Sequence, residues 1–382
     1  KLIQVYDERG NVTEQSYFGV AGQLILQSDG YATLTRAYDE GGNVTQLEYF
    51  GVTGKPILHK DGYAKLTQFF DKRGKMSEKA YFGKDGKPIL HKDGYARLTQ
   101  VYDERGKMTE QAYFGIDGNP ILSVEGYAKL TQVYDKGGNM TEKAYFGMTG
   151  KPILGPNGYA KLAQVYDKRG NMTEIAYFGV NGKPMLGKNG YAKLSKMYNE
   201  RRNVTEELYF GLDGKPMLHK DGYAKITSAY NARGNMTEIA FFGVDGKPVL
   251  NEGIAKLTQV YDKRGNAIAQ AYFGIDGKPV LSNNGYAKII LVYDERGNKI
   301  REAYFGADSK PVLHKNGYAT LTQAYDERGN RVAQAYFGID GKPALSKPGD
   351  YAKITWVYDE RGKVTKIFYF DLSGNKVTPS SK

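Results

Sequence analysis

Side chains able to do chemistry are plentiful in this sequence, and nearly all of them recur at fixed intervals. His59, His91, His219 and His314 each open an H-K-(D/N)-G tetrapeptide, and only His59 and His91 fall in adjacent copies. Two imidazoles without a third ligand do not make a zinc site, so the four are read as solvent-exposed loop residues. Asp-Glu-Arg-Gly-Asn recurs as well, at residues 7–11 and 294–298 among others. A calcium loop needs oxygen ligands at alternate positions, but here Lys or Arg interrupts most copies. The Asp is read instead as the first residue of a type I turn, capping its own backbone. Gly-x-Ser-x-Gly, a Gly-rich phosphate loop and His-Glu-x-x-His are all missing. A catalytic residue breaks a pattern, whereas every nucleophile or base here is one of many equivalent copies. The expectation is a chain that is not an enzyme, with no catalytic residue, no metal and no cofactor.

The basic positions are the strongest candidates for binding. One series runs Lys65, Arg97, Lys129, Lys161, Lys193, Lys225, Lys256, Lys288 and Lys353, with Thr33 and Thr320 interrupting it. A tyrosine stands two residues before most of them, giving a possible binding ladder of Tyr63, Lys65, Tyr95, Arg97, Tyr127, Lys129, Tyr159 and Lys161. Aligned cations can track an anionic polymer while the rings offer stacking surfaces. A second lysine series lies in the Gly-Lys-Pro turns, from Lys55 to Lys342. The plainer account is that charge keeps exposed strands soluble and discourages sheet-to-sheet association. The net charge of +12, from 54 basic and 42 acidic residues, is spread along the chain without the basic block of a nucleic-acid arm.

These residues recur because the chain does. The Phe closing each YF pair stands at 18, 50, 82, 114, 146, 178, 210, 242, 273, 305, 337 and 370, giving spacings of 32 residues except for one of 31 and one of 33. A fixed period of this size marks a repeat array in which no unit buries its apolar face alone. The prediction is an all-β, elongated solenoid or superhelix of twelve β-hairpin repeats of about 32 residues. It forms a single array over residues 1–377, followed by a disordered tail or linker at 378–382. Hairpin turns are placed near 7–11, 39–43, 71–75, 103–107, 135–139, 167–171, 199–203, 231–235, 262–266, 294–298, 326–330 and 359–363.

In the copy beginning at Tyr95, A-R-L-T-Q-V-Y and M-T-E-Q-A-Y-F flank D-E-R-G-K, two β-favouring runs about a turn. With Asp103 opening a type I turn and Gly106 left-handed, Asp103 faces Lys107 and Tyr102 meets Met108. Unbroken alternation then sets Gln100 against Glu110, Leu98 against Ala112 and Ala96 against Phe114, leaving Tyr95, Arg97, Thr99, Val101, Thr109, Gln111 and Tyr113 on the other face. Beyond Phe114 a second turn at Asp117-Gly118 leads to a short strand at Ile121-Leu122, peripheral because Pro120 has no N–H. All 32 tyrosines occupy three repeat positions and are read as architectural, each ring stacking on its counterpart one unit away.

Three late copies depart from the pattern. Asn266-Ala267-Ile268-Ala269, Asn298-Lys299-Ile300-Arg301 and Asn330-Arg331-Val332-Ala333 carry their apolar residue one place further along than Asn235-Met236-Thr237-Glu238. That predicts a changed environment, and a changed inter-repeat contact, near those turns. One residue is lost near Asn251 and one gained near Pro348, both in the same inter-hairpin loop. Six Asn-x-Thr sequons follow from a turn Asn beside a strand Thr, without implying glycan.

The absence of cysteine removes disulfides and thiolate sites. No apolar run approaches the roughly 20 residues of a membrane-spanning helix, so no membrane insertion is expected. Lys1-Leu2-Ile3-Gln4 enters mid-strand, as expected of a piece of a longer protein whose export signal lies upstream.

Tyr-Asp-x-x-Gly-Asn, as at Tyr6-Asp7-Glu8-Arg9-Gly10-Asn11 and Tyr293-Asp294-Glu295-Arg296-Gly297-Asn298, resembles the YD repeat of bacterial RHS and related surface or toxin proteins. In that family tandem hairpins coil into a long β-sheet spiral, often closing a shell around a toxin cargo. The resemblance implies a coiled all-β array in a bacterial protein, extracellular or at the cell surface. The aromatic and glycine hairpins are also loosely similar to choline-binding cell-wall repeats, although Trp356 is the only tryptophan. The functional expectation is a structural or interaction array with a protein or polysaccharide partner along an extended surface, and self-association possible. The alternatives are a carbohydrate or cell-wall binder using the Tyr and Lys ladders, and a binder of nucleic acid or another anionic polymer.

Overall fold

The computed structural model describes residues 1–347 and 349–378. Beyond Thr378, the tail expected to be linker lies outside the described residues. Its contacts divide the chain into two units, Lys1–Lys193 and Leu194–Lys382. Both are all-β. Within each, hairpins pair edge to edge into antiparallel sheet, a solenoid-like run of tandem repeats. Among the described residues no helix is long and apolar enough to cross a membrane.

The hairpin of strands Arg97–Tyr102 and Met108–Phe114 shows how the sequence sets the repeat. Asp103 donates its N–H to the Lys107 carbonyl at 2.9 Å and accepts the Gly106 N–H on its own carbonyl at 2.9 Å. Its side-chain Oδ1 accepts the N–H groups of Arg105 and Lys107, each at 2.9 Å. Gly106 sits at φ 75°, where any Cβ crowds the following carbonyl. The turn, its Asp cap and its left-handed glycine are as the sequence predicted, and Tyr102 does pair with Met108.

Beyond that pair the expected register fails. The partners are Val101 with Glu110, Gln100 with Gln111, Thr99 with Ala112, Leu98 with Tyr113 and Arg97 with Phe114, with a bulge beside Tyr102. Thr109 is the extra residue, and its hydroxyl donates across the bulge to the Val101 carbonyl at 3.2 Å. One added residue reverses every following side chain. Tyr113 and Gln111 therefore join Leu98 on one face, while Arg97, Thr99, Val101, Glu110, Ala112 and Phe114 share the other.

After Phe114 the chain makes two more tight turns of the same kind. Gly115 donates to Asn119 O and Gly118 to Gly115 O; then Ser123 donates to Tyr127 O and Gly126 to Ser123 O. Between them the predicted short strand shrinks to one bridge, Phe114 with Pro120, and an Ile121 N–H donated to Tyr113 O at 3.0 Å. The next hairpin then pairs with this one through Glu110–Thr131, Gln111–Leu130 and Ala112–Lys129.

The core lies along the first face. In the first unit it gathers Tyr31, Leu34, Tyr49, Tyr63, Leu66, Tyr81 and their later counterparts up to Leu162; in the second, Tyr272, Tyr286, Tyr304, Tyr318, Leu321 and Tyr336 form a second cluster. The rings do not stack on their own counterparts one unit away, as expected. Two tyrosine positions alternate in a single zigzag: Tyr63 to Tyr81 at 5.0 Å, Tyr81 to Tyr95 at 5.9 Å, Tyr95 to Tyr113 at 5.1 Å and Tyr113 to Tyr127 at 5.8 Å. The cause is the short connection, which brings each Tyr-Ala tyrosine between the Tyr-Phe tyrosines of two hairpins. The third position serves the hairpin tips, where Tyr38 and Tyr230 donate to Val12 O and Val204 O in the preceding repeat.

Candidate functional site

The proposed ladder separates into two layers. Tyr63, Tyr95, Tyr127 and Tyr159 are only 8%, 8%, 4% and 7% exposed and belong to the buried zigzag. Burial holds their phenols above the ordinary value of 10.0, because ionisation inside an apolar stack loses hydration. Lys65, Arg97, Lys129 and Lys161 stand on the opposite face and are half-buried. No single ligand surface holds both sets.

Arg97, Lys129 and Lys161 each sit between a carboxylate and a ring, and Lys65 pairs with a carboxylate. Arg97 reaches Glu78 at 3.1 Å and lies 4.1 Å from the Phe114 ring centre. Lys129 pairs with Glu110 at 3.4 Å and covers Phe146 at 5.1 Å. Lys161 does the same with Glu142 and Phe178, at 3.3 and 5.0 Å. Lys65 uses Glu48 at 2.9 Å, since Gln46 takes the position that Glu78 and Glu110 hold in later repeats. The pattern continues into the second unit with Lys225–Glu206 and Lys256–Glu238, at 3.7 and 3.4 Å. Through Lys256, then, the lysine series is a neutralised, cation–π-braced stripe. Sequence reasoning missed the matching glutamates; their signal was a repeat-long Glu series offset from the lysines, whose contact depends on the bulge.

The histidines are not exposed loop residues, and this expectation is corrected. The side chains of His59, His91 and His219 are 9%, 8% and 11% exposed. Each imidazole lies against a core tyrosine: His59 on Tyr49 at 4.6 Å, His91 on Tyr81 at 4.3 Å, His314 on Tyr304 at 4.8 Å. The loop folds its first residue back over the zigzag, and Nδ1 closes the turn by accepting the N–H two residues on, as in Asp61 to His59 at 3.2 Å. Burial lowers His59 and His314 below 6.5. Glycine serves the same place at Gly155, where an added Cβ would lie 2.4 Å from the Tyr145 ring. Among the described residues no group of three or more His, Asp or Glu could hold a metal ion.

Turn residues tie one repeat to the next. Arg9 donates to Glu40 O at 2.8 Å, Arg328 to Glu360 O at 2.8 Å, and Arg73 to Asp103 O at 2.6 Å. Loop lysines add Lys60–Asp29 and Lys92–Asp61, at 2.5 and 2.9 Å. In the sequons, the Asn11, Asn43, Asn139 and Asn171 side-chain amides all donate to the turn Asp.

No protein-family model matches the chain, and no curated protein matches it. Among solved structures it resembles TcdB2-TccC3 without its hypervariable C-terminal region, with 13% identity, a TM-score of 0.34 and coverage of 96% of this chain and 20% of that one. A Photorhabdus luminescens Tc holotoxin pore gives 10% identity, a TM-score of 0.22 and coverage of 97% and 23%. A porin-like protein from Bacteroides uniformis gives 12% identity, a TM-score of 0.15 and coverage of 91% and 92%. The chain thus spans about a fifth of the first of these. Similarities this loose assign no role to any residue.

Proposed function

We propose that the chain is a non-catalytic structural and interaction array, a segment of a larger bacterial surface or secreted protein. One observation carries this reading: the residues that could do chemistry are consumed in holding neighbouring repeats together. The tyrosines build the core, the histidines cover it, the turn aspartates cap backbone, and most ladder lysines face glutamate. The YD-like motif supports the bacterial and extracellular part of the proposal. Burial of the tyrosines favours a protein partner over carbohydrate, which calls for exposed rings.

In-frame deletion tests the reading. Removing residues 95–126, 127–158 or 159–190 in separate chains deletes one repeat and joins equivalent positions. Each shortened chain should keep its far-UV signature and a cooperative transition, because stability in such arrays is a sum of unit and neighbour terms. Collapse of the remaining fold on loss of any one repeat would refute interchangeability.

A further inference from the structure

The glutamates that neutralise the lysine stripe stop at Glu238. The same strand position continues as Ala269, Arg301, Ala333 and Lys366, paired with Val260, Val292, Ala324 and Val357. The cations diagonal to it across the inter-hairpin junctions remain as Lys288, opposite Ala271, and Lys353, opposite Ala335, while Thr320, opposite Ala303, takes that place beside Arg301. Lys288, Arg301, Lys353 and Lys366 are all exposed, and among the described residues none lies within ion-pair distance of a carboxylate. Flanking acids are engaged elsewhere. Asp276 and Asp308 pair with lysines of their own turns at 3.8 and 4.0 Å. Asp340 and Asp371 accept backbone N–H groups, and Glu302 is turned to the core face, where Tyr304 and Lys299 hold it.

Loss of the glutamate also opens space. A pocket of about 330 Å³ lies over Thr258, Val260, Ala269, Ala271, Phe273 and Lys288. Two repeats on, a pocket of about 630 Å³ is lined by the equivalent Thr322, Ala324, Ala333, Ala335, Phe337 and Lys353. Each is lined by alanine methyls and a phenylalanine, with a lysine that has no carboxylate partner; Lys353 lies 5.6 Å from the Phe370 ring centre, and Asp371, which accepts backbone N–H groups, also lines the larger pocket.

Strands lie about 4.8 Å apart, so successive inter-hairpin junctions fall about 10 Å apart, which is also the rise of three residues in an extended peptide. We propose that this face of the second unit binds an extended acidic polypeptide segment of a partner protein. One carboxylate meets each of the four cations, and intervening apolar side chains enter the two pockets. A peptide suits the face better than single-stranded nucleic acid, which stacks successive bases on a run of exposed rings, because the rings lining the two pockets are half-buried phenylalanines, among them Phe273 and Phe337. The inference rests on the interaction-array reading, but its test reads binding alone, so its failure leaves the repeat-deletion result standing.

The probe is a fluorescein-labelled peptide carrying four glutamates at every third position with valine and threonine between, titrated with the full chain by anisotropy. Saturable binding is expected, weakening with salt and dropping about tenfold or more in A269E/A333E. Those substitutions install the residue that earlier repeats carry at this position, so the circular dichroism spectrum should not change. A peptide of the same composition with its glutamates contiguous should bind several-fold more weakly. In the first unit, E110A/E142A/E174A should create a second peptide site. Absence of saturable binding, indifference to A269E/A333E, an unchanged stoichiometry in the first-unit variant, or tighter binding of single-stranded DNA or polygalacturonate would each overturn the proposal.

Discussion

Replacing Tyr81 with alanine tests the zigzag core most directly. Tyr81 is 2% exposed, with ring centres 5.0 Å from Tyr63 and 5.9 Å from Tyr95 and a stacked imidazole 4.3 Å away at His91. Truncating a buried aromatic costs about 3–5 kcal/mol, and that range already contains most of the roughly 1 kcal/mol that each lost ring pair contributes. The expected loss is therefore about 4–5 kcal/mol, a large share of the roughly 5–15 kcal/mol available to an ordinary domain. Because contacts run only between neighbours, the damage should be local. Hydrogen exchange should accelerate in strands Lys65–Phe70, Met76–Phe82 and Arg97–Tyr102, with Lys161–Tyr166 left near its parental rate. Tyr81→Phe separates ring from hydroxyl and should cost only about 1 kcal/mol. Phe241 already fills this place in the second unit, 7% exposed and 5.3 Å from Tyr223. A urea-unfolding loss below about 1 kcal/mol for the alanine variant, or exchange accelerated evenly along the chain, would refute the reasoning.

Arg202 holds φ 66° in a turn where other repeats use glycine, so Arg202→Gly should stabilise the second unit by about 1 kcal/mol in urea titration. Tyr31 is pushed by burial from 10.0 up to about 12. As pH rises past 10 the unfolded chain ionises first, so the stability this ring contributes is intact below pH 10 and is lost progressively as the pH rises from 10 through 12. The tyrosinate absorbance of the core rings should appear together with unfolding and not before it. His59 and His314 have the opposite sign: burial holds them below 6.5, so their contribution is present above pH 6.5 and lost as the pH falls below it. In the double variant to serine, the residue found here at Ser123, melting temperature should vary less between neutral and mildly acidic pH.

The period and the tip of each hairpin were legible because they are written in residue types: Asp at the cap, Gly where φ is positive, aromatics at fixed spacing. The faces were not. Thr109 looks like any strand threonine, and nothing in its chemistry marks it as the residue left out of pairing, yet it decides whether Tyr113 or Ala112 lies opposite Leu98. That one displacement hid the glutamate–lysine contact. Tyr95 and Arg97 were set on one face for another reason: strand alternation was carried back through Ala96, where the chain bends before the strand begins at Arg97. The histidines were misplaced for a different reason. A polar loop tetrapeptide reads as exposed, and only the path of the loop back over Tyr49 or Tyr81 puts its first ring against the core. In the late repeats the shift in Ala267-Ile268-Ala269 was visible as a move of the apolar residue, while the charge removed with it was the larger consequence. It empties the stripe beside Lys288.

The sameness of the rungs bears on how a nascent chain finds its order. A hairpin docking on Tyr63 or on Tyr95 meets almost the same chemistry, so contact free energy alone scarcely separates correct assembly from one that skips a rung. The short double-turn connection supplies part of the difference, but lengthening a loop is cheap, about 0.6 kcal/mol for each doubling. Ordered emergence from the ribosome then becomes the main safeguard against frame-shifted pairing. Chains diluted from denaturant all at once should yield more scrambled and intertwined species than chains folded during translation.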